Sequence, residues 1–146
     1  MDAPQQQMLL DLGFAWVSGK YPAHAGIEDL HGSGQKPSKL AFDHILAAQD
    51  ESQPFVYPTG LVEVPMSPIS DIGAFRNGRW RLDEFLDAIR QAVRLVIDRR
   101  AAFDFLSHPS CLGVVDPEFR AIDLICDLVS TGSTLAVLWG QRGRVG

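Results

Sequence analysis

The stretch LDEFLDAIRQAVRLVIDRRAAFDFLSHP, residues 82–109, carries the two patterns on which the prediction of the fold depends. Its first part, Leu82–Arg99, repeats apolar residues at intervals of three and four and predicts an amphipathic helix. Acidic residues near its start and arginines at its end suit the helix dipole. Its second part, Ala101–Leu106, is a short apolar run that predicts a strand.

The rest of the chain continues this alternation of helix and strand, which is typical of a parallel α/β architecture. We therefore expect about four parallel strands with alternating helices in a single domain over residues 1–146. The predicted segments are helices at Pro4–Leu12, Lys39–Gln49, Leu82–Arg99 and from about Asp116; strands at Phe14–Ser18, Leu61–Val64, Ala101–Leu106 and Thr134–Trp139; an extended segment Gln53–Pro58; and loops at Gly19–Pro37, 66–81 and Ser107–Val115.

Composition disfavours several classes of protein. The chain has 146 residues, of which 46% are hydrophobic and 21% are charged, as expected for one globular domain. Thirteen basic against eighteen acidic residues give a net charge of −5, which disfavours nucleic acid as a partner. No stretch approaches the ~20 apolar residues that span a membrane. No signal peptide is visible, so a cytoplasmic location is the default expectation.

Polar residues cluster where the predicted strands end, and parallel α/β proteins bind their ligands at that edge. His108 follows a strand directly and precedes Pro109, which prevents a helix from continuing there. Its imidazole can donate or accept a proton near neutral pH, and Asp71, at the end of the preceding strand, can orient the ring. We predict His108 and Asp71 as catalytic residues. The alternative interpretation is a histidine that caps a strand end or a turn.

Glu63, Tyr21 and Trp80 are predicted to contact a substrate at this edge. Glu63 lies in a strand and faces either the interior, where a carboxylate needs a partner, or solvent. Trp80 lies in a basic cluster that forms either a solvated turn or a clamp for an anionic substrate. The arginines of this cluster are Arg76, Arg79 and Arg81.

Neither the histidines nor the cysteines have the spacing of a metal site. The four histidines form no His-x-x-x-His pair, and we predict no complete metal site within the chain. Cys111 and Cys126 do not form a Cys-x-x-Cys motif, so a disulfide is not expected. Cys111 has no basic neighbour in its loop and is predicted to be a packing residue rather than a nucleophile.

Several of these segments together resemble a known family. The runs Leu61–Asp71, Leu82–Arg99 and Phe103–Pro109 resemble the C-terminal half of polysaccharide deacetylases, the NodB-homology domains of carbohydrate esterase family four. Leu9–Ser18 is similar to the helix and strand in the middle of that domain. The Leu-x-His-Pro element at Leu106–Pro109 is the most telling part of the likeness.

The resemblance implies a partial (β/α) barrel and a hydrolase that removes acetyl groups from sugars or cleaves other small amides. In that family an aspartate and two histidines hold Zn²⁺ or another divalent metal, and they come from Thr-Phe-Asp-Asp and His-x-x-x-His elements. A histidine of the last motif protonates the leaving amine. This is the role that the resemblance implies for His108, with a carbohydrate or small amide as the substrate.

This sequence contains neither the Thr-Phe-Asp-Asp nor the His-x-x-x-His element. We therefore expect residues 1–146 to be the C-terminal part of a deacetylase-like catalytic domain, inactive alone, with the metal held in a full-length relative. The alternative is a non-catalytic α/β module that binds a carbohydrate or a partner. A partial barrel would also leave open sheet edges, which favour self-association.

Overall fold

A computed structural model describes residues 1–22 and 39–131, except for the side chain of residue 40. Helices predominate within these residues, with 57% in helices and 5% in strands. In chain order the elements are α1 (Ala3–Asp11), β1 (Trp16–Val17), α2 (Lys39–Glu51), β2 (Phe55–Val56), β3 (Val62–Glu63), a π-helix (Ile72–Asn77), α3 (Leu82–Arg99), α4 (Pro109–Val115) and α5 (Arg120–Thr131).

The helices begin and end where the local sequence favours it. The predicted bounds of α3 are confirmed, and Arg100 ends the helix in the left-handed region with a φ of 51°. α1 begins after Asp2, whose carboxylate accepts a hydrogen bond from the Gln5 N–H at 2.9 Å. The Gln5 side chain accepts the Asp2 N–H in return, which completes a capping box.

The hydrophobic core lies where α3 packs against α2 and α5. Phe85 of α3 is fully buried. Its ring centroid lies 4.7 Å from that of Phe75 in the π-helix and 6.2 Å from that of Phe105, which follows α3. Aromatic side chains bury large apolar areas, so this cluster contributes strongly to stability. It also attaches the π-helix and the segment before α4 to the same core.

The sheet is small and mixed, with the strand order β1-β3-β2. β1 runs parallel to β3, with Val17 opposite Glu63. β2 is antiparallel to β3 because a tight turn joins the two strands. In this turn Gly60 adopts a φ of 93°, and its N–H donates to the Tyr57 carbonyl at 2.9 Å. β1 and β2 form the two edges of this sheet, and self-association through them stays a prediction.

The predicted fold class, a partial (β/α) barrel with about four parallel strands, is wrong, since the described strands form one three-stranded mixed sheet. The segment Ala101–Leu106 shows one physical reason. At Ala102, two glutamine side chains bind the backbone groups that a neighbouring strand would bind in a sheet. The Gln49 amide donates to the Ala102 carbonyl at 3.1 Å, and the Ala102 N–H donates to the Gln53 side chain at 2.8 Å.

Two predicted loops contain helices. The π-helix lies within residues 66–81, and α4 occupies most of Ser107–Val115. Pro109 is the first residue of α4, a position that proline suits because the N–H it lacks would be unpaired there. The predicted strand Thr134–Trp139 and most of the loop Gly19–Pro37 lie outside the described residues. Within the described ranges, no helix has both the length and the apolar character needed to cross a membrane.

Candidate active site

His108 and Asp71 lie in direct contact, although 37 positions separate them in the sequence. The Nδ1 atom of His108 is 2.9 Å from Oδ1 of Asp71, and the His108 backbone N–H donates to Oδ2 at 2.7 Å. The backbone N–H of Ile72 also donates to Oδ1, at 2.9 Å. The Asp71 carboxylate therefore holds both the backbone and the ring of the histidine.

The two partners differ in their exposure to solvent. The Asp71 side chain is fully buried, whereas 44% of the His108 side chain is exposed. Because an ionised carboxylate is only an acceptor, the hydrogen bond assigns the proton to Nδ1 and the lone pair of the neutral ring to Nε2. Among the described residues none forms a hydrogen bond with Nε2. This nitrogen can therefore exchange a proton with a molecule that binds at the surface.

Two short helices bring the pair together. Asp71 directly precedes the π-helix, and His108 directly precedes α4. The extended backbone of His108 is the conformation that a following proline favours, here Pro109. Because α4 packs against the π-helix, the two residues that precede these helices lie side by side.

Tyr21 is attached to the segment that carries Asp71. Its hydroxyl lies 3.2 Å from the Pro68 carbonyl and 3.3 Å from Oγ of Ser70, while 41% of the residue is exposed. Ser70 is buried, and its hydroxyl accepts the Gly73 N–H at 3.1 Å. Tyr21 therefore contacts the segment directly before Asp71, and its contact with a substrate stays a prediction.

Glu63 faces the interior, which is one of the two alternatives left open by the sequence. It is 1% exposed, and its Oε1 accepts the backbone N–H groups of Gly19 and Lys20, each at 2.8 Å. Its Oε2 accepts the Tyr57 hydroxyl at 2.9 Å. This hydrogen bond, with burial and the negative charge of Glu63, raises the pKa of Tyr57. Glu63 thus positions the chain that leads to Tyr21, and its two oxygens are already occupied.

Trp80 lies in the hydrophobic core rather than at the surface. The residue is 4% exposed, and its ring lies 5.9 Å from the ring of Phe42. The backbone of Gly78 runs so close to the indole that a Cβ there would be 2.7 Å from Nε1. This placement favours a packing role over the predicted contact with a substrate.

Cys111 is a buried residue of α4, and its backbone N–H donates to the His108 carbonyl at 2.9 Å. Burial raises the pKa of its thiol most, and the charge of Asp71 adds to the rise. The Arg76 guanidinium opposes both through its charge and a hydrogen bond to the thiol. The cysteine is therefore a protonated thiol at neutral pH, which makes it a poor nucleophile.

Asp104 joins segments around the candidate site, and the sequence analysis did not identify it. The Ser18 hydroxyl donates a short hydrogen bond to the Asp104 carboxylate, and the Ser67 N–H donates to the Asp104 carbonyl at 2.7 Å. These bonds connect two places to the segment before His108: the end of β1 and the chain that follows β3. The available signal was a carboxylate between Phe103 and Phe105, since a charge in an apolar run needs a partner.

A comparison of the chain with known protein families, curated proteins and solved structures finds no match. In the part of the chain that the structure describes, no three His, Cys, Asp or Glu side chains are grouped to hold a metal ion.

Proposed function

We propose that His108 and Asp71 form the acid–base pair of a hydrolase that cleaves carbon–nitrogen bonds other than peptide bonds, such as those of N-acetylated sugars. The observation that carries the proposal is the 2.9 Å contact between a fully buried carboxylate and a half-exposed imidazole. The likeness of Phe103–Pro109 to polysaccharide deacetylases supports it and implies that His108 is the general acid.

The proposed chemistry is one proton transfer. In the protonated ring, Nδ1–H keeps its hydrogen bond to the Asp71 carboxylate, and Nε2–H faces the substrate. After water has added to the acyl carbon, Nε2 gives its proton to the amine nitrogen as the bond between that nitrogen and the acyl carbon breaks, which releases the free amine and the carboxylic acid. The buried carboxylate holds the ring in this orientation and stabilises its positive charge before the transfer. A general acid of this kind contributes about 10²–10⁴-fold to the rate.

The family likeness also implies a divalent metal that activates the attacking water. The described residues do not fit such a metal, because they assemble no set of three ligands. No step of the proposed reaction is therefore assigned to a metal held by these residues.

The proposal is tested by acetate release from N-acetylated sugar oligomers. Two proteins are compared in the presence of Zn²⁺: the chain alone, and the chain fused to an upstream segment that carries the Thr-Phe-Asp-Asp and His-x-x-x-His elements. The fusion should release acetate, and the chain alone should not. In the fusion, His108→Ala should lower kcat about 100-fold or more. His44→Ala is the matched control, since His44 is an exposed histidine of α2.

Turnover of the His108→Ala fusion close to that of the parent would refute the proton-donor role. A fusion that binds the oligomers in calorimetry and releases no acetate would favour the non-catalytic binding module instead. His44→Ala should match the parent in both assays, which separates loss of the acid from loss of any histidine.

A further inference from the structure

Arg76 is an exposed arginine that forms no ion pair with a described residue. Ion pairs in the described ranges involve other basic residues, namely Lys39, Arg81, Arg90, Arg99 and His108. A guanidinium carries five N–H donors in a planar arrangement. Those of Arg76 are not occupied by any carboxylate of the described chain.

Arg76 lies on the same side of the π-helix as Asp71. Backbone hydrogen bonds in a π-helix join residues that are five positions apart. The bond from the Gly78 N–H to the Gly73 carbonyl, at 2.8 Å, has this pattern. Arg76 is five positions after Asp71, so it lies about one turn farther along the same face. Single-turn π-helices of this kind occur frequently at functional sites.

Cys111 connects Arg76 to the acid–base pair. It belongs to α4, which begins directly after His108 and packs against the π-helix. The charges of Arg76 and Asp71 shift the pKa of this thiol in opposite directions, so both groups lie near it. Because the π-helix and α4 pack together, Arg76, Cys111 and Asp71 lie in one region near the start of α4.

The charge of Arg76 is not needed as a direct partner of Asp71. The Asp71 carboxylate already accepts hydrogen bonds from the His108 backbone, the His108 ring and the Ile72 backbone. An arginine beside a proton donor can instead bind a negative group from outside. Guanidinium groups bind carboxylates with two parallel hydrogen bonds, an arrangement that a lysine cannot reproduce.

We infer that the substrate of this site carries a carboxylate, which Arg76 binds while the amide nitrogen of the substrate lies at Nε2 of His108. The inference rests on the proposed function and specifies its substrate class, an N-acylated sugar or small molecule with an acidic group near the bond that breaks. Of the three arginines in the basic cluster, it assigns the clamp to Arg76.

N-Acetylglycine and N-acetylglycinamide test the inference, because they share one amide and differ in charge. Binding to the full chain is measured by NMR titration of the His108 ring and the Arg76 Nε–H signals. N-Acetylglycine should bind about tenfold more tightly than the neutral amide. Arg76→Gln should abolish this preference, whereas Arg79→Gln, which removes the same charge three positions away, should retain it. Arg76→Lys keeps the charge without the paired geometry and should retain part of the preference.

Equal binding of the two ligands by the wild type, or equal loss in Arg76→Gln and Arg79→Gln, would overturn the inference. Should Arg76→Gln fail to fold, Arg76→Lys with wild-type preference would overturn it as well. The binding measurement does not depend on turnover. The hydrolase proposal and the proposed role of Arg76 can therefore be refuted independently. A preference for N-acetylglycine together with an inactive fusion would refute the proposed function alone. Equal hydrolysis of charged and neutral amides by the fusion would refute the role of Arg76 alone.

Discussion

Replacing Asp71 with asparagine removes the charge from the candidate site and keeps the size of the side chain. The wild-type carboxylate accepts hydrogen bonds from the His108 N–H, the His108 ring and the Ile72 N–H, and both oxygens are used. Asparagine has one acceptor oxygen, and its NH₂ group is a donor. Whichever way the amide is turned, at least one N–H donor faces that NH₂ group.

The cost follows from the hydrogen bonds. A hydrogen bond to a charged group contributes about 1.5–3 kcal/mol, and a buried donor left unpaired is costly. We expect Asp71→Asn to lower the free energy of unfolding by about 2 kcal/mol through the loss of one such bond. With a slope of about 2 kcal/mol per molar urea, the unfolding midpoint should fall by about 1 M.

The same substitution should change the protonation pattern of the His108 ring. In the wild type, the Asp71 carboxylate fixes the proton on Nδ1 of the neutral ring. The amide of Asp71→Asn can donate to Nδ1 instead, which favours the form protonated on Nε2. Long-range ¹H–¹⁵N spectra distinguish these two forms of the ring. The substitution should therefore move population from the first form to the second.

Asp116→Asn is the matched control. Asp116 is also fully buried, but it accepts one side-chain hydrogen bond, from the Ala121 N–H at 2.8 Å, and its Oδ1 has no partner. Asparagine can keep that bond, so the loss of stability should be smaller and the His108 ring should be unchanged. The reasoning is refuted if Asp71→Asn keeps the urea midpoint and the ring form of the wild type.

Three further predictions concern the surroundings of the site. Glu63→Gln removes the carboxylate that raises the pKa of Tyr57, so this pKa should fall toward its ordinary value of 10.0 in a tyrosinate absorbance titration. Burial raises the pKa of Cys111 above its ordinary value of 9.0. The resulting stability is fully present below that pH and is lost as the pH rises beyond it, so Cys111→Ala should lose unfolding free energy less steeply above about pH 9. Gly78→Ala places a methyl group 2.7 Å from Nε1 of Trp80 and should lower the unfolding free energy by about 1–3 kcal/mol in urea.

Each of these predictions has a control on the same chain. A Tyr21→Phe background leaves one tyrosine to titrate. The wild-type chain is the reference for the pH slope, and Gly113→Ala should change stability little because its nearest contact would lie at 3.9 Å. An unchanged tyrosine titration in Glu63→Gln would contradict the first prediction. Equal pH slopes in Cys111→Ala and the wild type would contradict the second, and an unchanged urea midpoint in Gly78→Ala would contradict the third.

Local sequence patterns were sufficient to predict α3 but insufficient to predict the sheet. The stripe of α3, its acidic first turn and the arginine that ends it are all encoded within Leu82–Arg99 and its flanks. Strand pairing depends instead on residues that are distant in the chain. The apolar run Ala101–Leu106 has the composition of a strand, yet Gln49 and Gln53 bind its backbone. Nothing within that run indicates these partners.

The residue types of the candidate site could be identified from the chain alone, since His108 before Pro109 and Asp71 in a polar turn are local features. Their contact, the burial of Glu63 and the placement of Trp80 in the core could not be read from it. Each depends on groups that converge from separate segments when the helices pack. A buried carboxylate is stable only where hydrogen-bond donors meet it, and three-dimensional packing sets where that meeting occurs.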